Sequence, residues 1–180
     1  MAGPERDEYA IDPEVAARVA HLQGVSVEEF FTVGVDAPPP PVVAPVPGVD
    51  WVDLDVPAPD GSVRLRRYVP GDAGGDPRPC LVWCHGGGWG LGDLEMVEAH
   101  VVSQRVASAL DAIVYSVDYG LAPAHPYPVP QEQIVSAVEH AMADPAVDPL
   151  RIALGGASAG GHLAACAAHR LVVAGAPLAA

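Results

Sequence analysis

The sequence predicts an α/β fold in which a mostly parallel, doubly wound sheet follows an antiparallel hairpin. Three observations predict it. From residue 80 the chain repeats a rhythm of apolar run, glycine turn and helix-patterned segment, the alternation that builds parallel sheets. Two of those runs, Cys80 to Cys84 and Ile113 to Val117, are continuously apolar, as strands covered on both faces are. Upstream, residues 49–69 alternate apolar and polar side chains around a turn signal, the mark of a half-exposed hairpin. A chain of 180 residues, 50% hydrophobic, suits one domain with a real core.

The elements follow in order. Asp12 is a good N-cap and Pro13 suits the first helical position, and Ile11, Val15, Val19 and Leu22 form a stripe at helical spacing, so a helix is expected over 13–22. Ser26 is expected to cap a second short helix, Val27 to Thr32. Residues 37–48 read APPPPVVAPVPG, and the proline run forces an extended, stiff connector. The chain thus divides into 1–48 and 49–180. Val49 to Val56 is the first strand, Asp60-Gly61 the turn, and Val63 to Val69 the return strand, with Arg64 and Arg66 on one face. After the strand at Cys80 come a helix over Leu94 to Leu110, the strand at Ile113, and a helix over Gln131 to Ala143 bounded by Pro130 and Pro145. A short strand, Ile152 to Leu154, and a last helix, Ala159 to Val172, complete the reading.

Composition removes several function classes. The net charge is −14, and an acidic surface repels phosphate backbones and anionic lipid, so neither nucleic acid nor a membrane is an expected partner. The sequence holds no Lys and no Asn. A Walker-type phosphate loop and a pyridoxal Schiff base both need lysine, and N-glycosylation needs asparagine. Cys80, Cys84 and Cys166 are an odd number in a chain of ordinary length, so no disulfide framework is implied. Cys80 and Cys84 share one face of a strand-like run and read as core filling. Residues 1–10 lack the apolar run of a signal peptide, and no stretch reaches the roughly 18 apolar residues of a membrane span. A reduced, cytoplasmic setting is expected, with no cofactor and no metal.

Two segments carry chemistry. Gly156-Ala157-Ser158-Ala159-Gly160 has the form G-x-S-x-G, directly after a strand and directly before a helix. That is the setting of a nucleophile elbow, a turn so tight that the serine's neighbours must be small. The helix N-terminus beneath the hydroxyl favours developing negative charge. An incidental serine in a glycine-rich turn gives the same five letters. The second segment, His85-Gly86-Gly87-Gly88-Trp89, also ends a buried strand. Consecutive glycines let backbone N–H groups approach a substrate oxygen. A dinucleotide loop is excluded, because starting G-x-G-x-x-G at Gly86 puts Leu91 at the third glycine. A third segment, Asp118-Tyr119-Gly120-Leu121-Ala122-Pro123-Ala124-His125-Pro126-Tyr127-Pro128, is by itself a proline-rich loop after a strand.

In this order and at this spacing the segments resemble the hormone-sensitive-lipase type of α/β-hydrolase, from about residue 49 to residue 172. HGGGWGLGD at His85 to Asp93 is similar to that family's oxyanion loop, Tyr119 to Pro128 to its Y-R-L-A-P-E-H-P segment, and Asp148 to Ile152 with Gly155 to Gly161 to its D-P-x-R-I strand and G-D-S-A-G-G elbow. The resemblance implies a serine esterase acting on small neutral esters of mostly short acyl chains. It implies Ser158 as nucleophile and Gly86, Gly87 and Ala159 as oxyanion donors. His85 would order the loop with Gly88 rather than act as base, and Trp89 would line the pocket mouth. Residues 1–48 would form a cap, and the full-length protein a homodimer.

The sequence departs from the pattern in places. Gly120 stands where the family has Arg and Ala124 where it has Glu. If these pair, losing both leaves no charge unmatched, so restoring both is expected to leave the melting temperature level or raise it. Ala157 replaces an Asp, with a size that suits the turn. In this family the triad acid and base follow the nucleophile in chain order, and only 22 residues follow Ser158. His162 and His169 lie on a helix leading away from the hydroxyl, and His125 is a weak candidate base. The expectation is a truncated product or partial sequence, inactive alone, whose elbow strand forms an open sheet edge. Two other readings stay open. One is a non-catalytic binding module, as in the similar plant gibberellin receptors. The other is amide or formamide hydrolysis by the same residues.

Overall fold

The computed structural model describes residues 13–20, 23–26, 44–71 and 75–179. The chain divides into two units, Met1–Pro41 and Val42–Ala180. In the first, a helix α1 spans Pro13–Val19 and begins on its proline as expected. The Asp12 cap, the ends of the apolar stripe, the Val27 to Thr32 helix and the four consecutive prolines lie outside the described residues.

The second unit is a five-stranded sheet with helices on both faces. Strands β1 (Val49–Ala58) and β2 (Gly61–Pro70) form the antiparallel hairpin, paired from Val49↔Pro70 to Ala58↔Gly61. That register makes Pro59 and Asp60 the central turn residues, one position earlier than the Asp60-Gly61 reading. Proline's fixed φ suits a turn start, while Gly61 takes the positive φ of 129° as the first residue of β2. Strand β3 (Arg78–Cys84) leads through helix α2 (Val97–Leu110) to β4 (Ile113–Asp118), and helix α3 (Val129–Ala143) leads to β5 (Val147–Gly156) and helix α4 (Ala159–Val173). The sheet order is β1-β2-β4-β3-β5. Strands β4, β3 and β5 are mutually parallel, and β2 joins β4 antiparallel. Strand β5 ends the order, and Leu178 makes a parallel bridge to its Ile152.

Alternation along the strands splits the core in two. Cys80, Val82, Cys84, Ile113, Tyr115, Val117 and Ile152 face α3 and α4, meeting Ile134, Val138, Leu163 and Ala167. Tyr68, Val114, Leu81 and Trp83 face α2 around Ala107. Each fully buried aliphatic side chain contributes about 1.5–3 kcal/mol. Cys80 and Cys84 are free thiols in the first core.

Of the boundaries that differ from the sequence reading, three have a visible local cause. Helix α2 starts at Val97 rather than Leu94 because Asp93 Oδ1 accepts the Glu95 N–H at 2.8 Å, holding a turn there. Helix α3 starts two residues earlier, at Val129, with Pro130 in its first turn, where a missing N–H costs nothing. Strand β5 has ten residues rather than three. It joins β3 at Arg78↔Val147, bulges, and resumes at Cys80↔Ile152. Asp148 closes the bulge, accepting from Leu150 N–H at 3.0 Å and from Arg151 Nε at 2.6 Å. Among the described residues no helix is long and apolar enough to cross a membrane, and no three metal-ligating side chains converge.

Candidate active site

The strand order reverses at β3. From β3 the chain crosses to β4 on one side, and β5 then returns to pair on the other side. The crevice beyond the carboxyl ends of strands at such a point is where open α/β sheets bind ligands. The two glycine-rich segments both enter it. His85 to Trp89 leaves the end of β3, residues 157–160 leave the end of β5, and the last residues of those strands, Cys84 and Gly156, are register partners.

The elbow is locked onto β3. Ala157 N–H donates to the Cys84 carbonyl at 3.0 Å. A Cβ at Gly156 would stand 2.5 Å from that same oxygen, and one at Gly160 would overlap the carbonyls of Cys84 and His85. Ser158, between them, has φ 48° and ψ −116°, a conformation that costs a non-glycine residue on the order of 1–3 kcal/mol. The strain lifts the side chain out of the turn, leaving Ser158 exposed while Ala159 is buried. Its hydroxyl does not cap α4.

The glycine loop is held from beneath by two aromatic rings. His85 is fully buried. Its Nδ1 sits 2.6 Å from the Gly86 carbonyl, so that nitrogen carries the proton, and Nε2 finds no partner among the described residues. The ring stacks on Tyr119, centroids 4.3 Å apart and planes 11° off parallel, and the Tyr119 hydroxyl donates to the His85 carbonyl at 2.8 Å. Burial holds the Tyr119 phenol protonated well above its ordinary range. An imidazole buried, stacked and bonded in this way makes no hydrogen bond to Ser158. The backbone then turns sharply: Gly87, Gly88 and Trp89 have φ of 119°, 60° and 63°, and the Gly87 carbonyl accepts from Gly90 and Leu91.

The donors of this loop differ from the sequence reading in one respect. Gly86 N–H is not open to a substrate, because it donates to Glu98 Oε1 at 2.6 Å. Among the described residues the N–H groups of Gly87, Gly88 and Ala159 make no hydrogen bond. Trp89, 46% exposed, accepts the Ala122 N–H on its carbonyl at 2.8 Å. Its indole meets the His162 ring edge-on at 5.6 Å.

Three further histidines weighed as candidate bases have other surroundings. His125 lies against Asp60 of the hairpin turn, Nδ1 to Oδ2 3.6 Å. A Cβ on Gly120 would stand 2.5 Å from His125 Cγ, so a side chain at position 120 requires this ring to shift. His162 and His169 are exposed on α4, and His162 Nε2 is 3.8 Å from Cys166 Sγ. No described imidazole or carboxylate hydrogen-bonds Ser158. Tyr119 and Glu98 were not singled out by sequence. The tyrosine lay inside a quoted motif, whereas nothing local to residue 98 marks its contact.

Known proteins place the chain in a family. The model of a family described as alpha/beta hydrolase fold matches residues 81–180. The chain is 37% identical over 163 residues to a protein named carboxylic ester hydrolase LipN of Mycobacterium tuberculosis, covering 88% of this chain and 39% of that one. It is 38% identical over 116 residues to mouse (Mus musculus) arylacetamide deacetylase, covering 62% of this chain and 29% of that one. A solved hyperthermophilic esterase from the archaeon Pyrobaculum calidifontis superposes with a TM-score of 0.65 at 37% identity, over 73% of this chain and 41% of that one. The chain thus spans about two fifths of the first of these relatives or less. With the family model matching more than half its residues, and with the three motifs in place, the chain belongs to the alpha/beta hydrolase fold family, in its hormone-sensitive-lipase type.

Proposed function

We propose that this chain supplies the nucleophile and the oxyanion loop of a serine hydrolase that cleaves small, neutral carboxylic esters by acyl transfer. One observation carries the reading. A strained, exposed Ser158 stands at the end of the strand whose neighbour delivers the open N–H groups of Gly87 and Gly88. Ser158 Oγ attacks the ester carbonyl, and Gly87, Gly88 and Ala159 donate to the resulting oxyanion. The alcohol leaves, and water releases the acid. The net charge of −14 favours neutral over anionic substrates.

Without a base on Ser158 the hydroxyl is a weak nucleophile, and an oxyanion hole alone gives about 10³–10⁴-fold over water. The chain by itself is therefore expected to acylate slowly. The test is a fluorophosphonate read by intact mass, with and without added imidazole as an external base. Expected is a slow adduct on Ser158, faster with imidazole and absent in Ser158→Ala. A folded chain that stays unlabelled even with imidazole would overturn the assignment.

The similarity to a protein named arylacetamide deacetylase supports a second reading, amide hydrolysis at the same serine. Cleavage of p-nitroacetanilide at a rate comparable to p-nitrophenyl acetate would favour it.

A further inference from the structure

Among the described residues, Glu98 is the one side chain that accepts a hydrogen bond from an amide of the glycine loop. Its two oxygens are divided between two elements. Oε1 takes the Gly86 N–H at 2.6 Å, and Oε2 takes the Trp83 indole N–H at 3.3 Å. Trp83 lies on β3 toward α2, and Gly86 lies two residues past the end of that strand. Glu98 sits in the first turn of α2, where the helix dipole favours a carboxylate. The segment entering α2 is itself anchored. Arg66 on β2, 7% exposed, donates to Glu95 at 2.7 Å and to both Asp53 oxygens at 2.6 and 2.9 Å. A rigid path thus runs from the hairpin through the α2 entry to the loop.

We propose that Glu98 is a positioning residue for the oxyanion loop, a role that rests on the serine-hydrolase reading above. Its carboxylate occupies the Gly86 N–H and fixes the start of the turn. The Gly87 and Gly88 N–H groups are then the ones left open beside Ser158. A charge-assisted bond of this length is among the stronger available to a backbone amide. Both groups that Glu98 holds are donors. A carboxylate satisfies both, whereas glutamine offers one acceptor and turns its NH2 on the other partner.

That asymmetry supplies the test, on the ¹⁵N-labelled 180-residue chain. In Glu98→Ala and Glu98→Gln the Gly86 amide proton is expected to move upfield. Hydrogen exchange should quicken at Gly86, Gly87 and Gly88, with the β4 amides unchanged. In a Trp83→Phe background, Glu98→Gln is expected to restore the Gly86 signal, because its single acceptor is then free for that amide. A merely structural role gives no such recovery. Ser158-dependent acylation by p-nitrophenyl acetate should fall by about 10²-fold in Glu98→Ala, as misplacement of a catalytic group does. It should return in the Trp83→Phe, Glu98→Gln pair, with KM little changed. Unmoved Gly86 to Gly88 amides in Glu98→Ala overturn the proposal. So does a double variant without recovery, which decides alone if Glu98→Ala does not fold. Ester cleavage that survives Ser158→Ala sinks the hydrolase reading instead and leaves the amide result standing.

Discussion

Cys84 and Gly156 pair across β3 and β5, and the Ala157 N–H donates to the Cys84 carbonyl at 3.0 Å. The nucleophile turn is therefore built directly against the strand that launches the oxyanion loop. The two halves of the site share a wall of backbone, which has no side chain to move aside.

Gly160→Ala tests that wall. The added methyl would meet the carbonyls of Cys84 and His85, and overpacking against backbone costs about 1–3 kcal/mol or more. The urea midpoint is expected to fall, and fluorophosphonate labelling of Ser158 to fall further than the lost stability explains, because the elbow itself shifts. Labelling at the wild-type rate would show that the turn tolerates a side chain and that the close approach is incidental.

Gly120 and His125 give a second, separable test. A methyl at position 120 would stand 2.5 Å from His125 Cγ. Gly120→Ala is expected to cost about 1–3 kcal/mol, and much less in a His125→Ala background. The His125–Asp60 contact is partly exposed at 3.6 Å, so His125→Ala alone should cost no more than about 1 kcal/mol. A double-mutant cycle on thermal unfolding reads the coupling. Strictly additive effects would place the ring elsewhere in solution.

Much of this site was legible before the fold, for a physical reason. An elbow and a glycine loop are local devices whose constraints fall on adjacent residues, so Gly156 to Gly160 and His85 to Trp89 declare themselves in the sequence. The buried runs at Cys80 and Ile113 were legible in the same way. What stayed hidden depends on distance in space. Ile152 to Leu154 looked like a short strand because the first half of β5 is largely exposed and pairs through a bulge, which leaves no apolar pattern. The occupancy of Gly86 could not be read, because its acceptor lies twelve residues on and meets it only once α2 packs on β3. Sequence periodicity reports which face is buried, and says nothing about which of three consecutive N–H groups is taken.

Acid stability should follow three carboxylates of opposite sign. Asp53 is held below the ordinary range by the hydrogen bond from Arg66. Burial pushes Asp144 up, but bonds from Tyr115, the Ala146 N–H and Arg67 outweigh it and leave it low. Depressed values contribute stability that is present above the unfolded pKa of about 3.9 and lost as pH falls through the folded values. Burial raises Asp118, so its contribution is present below about pH 3.9 and is lost as pH rises through its folded value. Urea midpoints should therefore drop below about pH 4, with a shallower drop in Asp144→Asn. Asp118→Asn should raise the midpoint at neutral pH and leave the acid limb in place. An unchanged acid limb in Asp144→Asn would mean that the Tyr115–Arg67 cluster does not hold its charge in solution.

The three thiols should separate cleanly by reactivity. Burial pushes Cys80 up to about 12 and Cys84 higher still, and both side chains are sealed in the core beneath α3 and α4. A thiol reacts as its thiolate, so neither should react while the sheet is folded. Cys166 is partly exposed on α4. Maleimide at neutral pH, read by intact mass, should add once to the native chain and three times in denaturant, and Cys166→Ser should abolish the native adduct. The rate of the second and third additions then reports opening of the core. Because Cys84 is the last residue of β3 and its carbonyl carries the elbow, Gly160→Ala should speed modification at Cys84 more than at Cys80. Equal acceleration at both would mean that the substitution loosens the sheet as a whole and that the elbow is not a local lock.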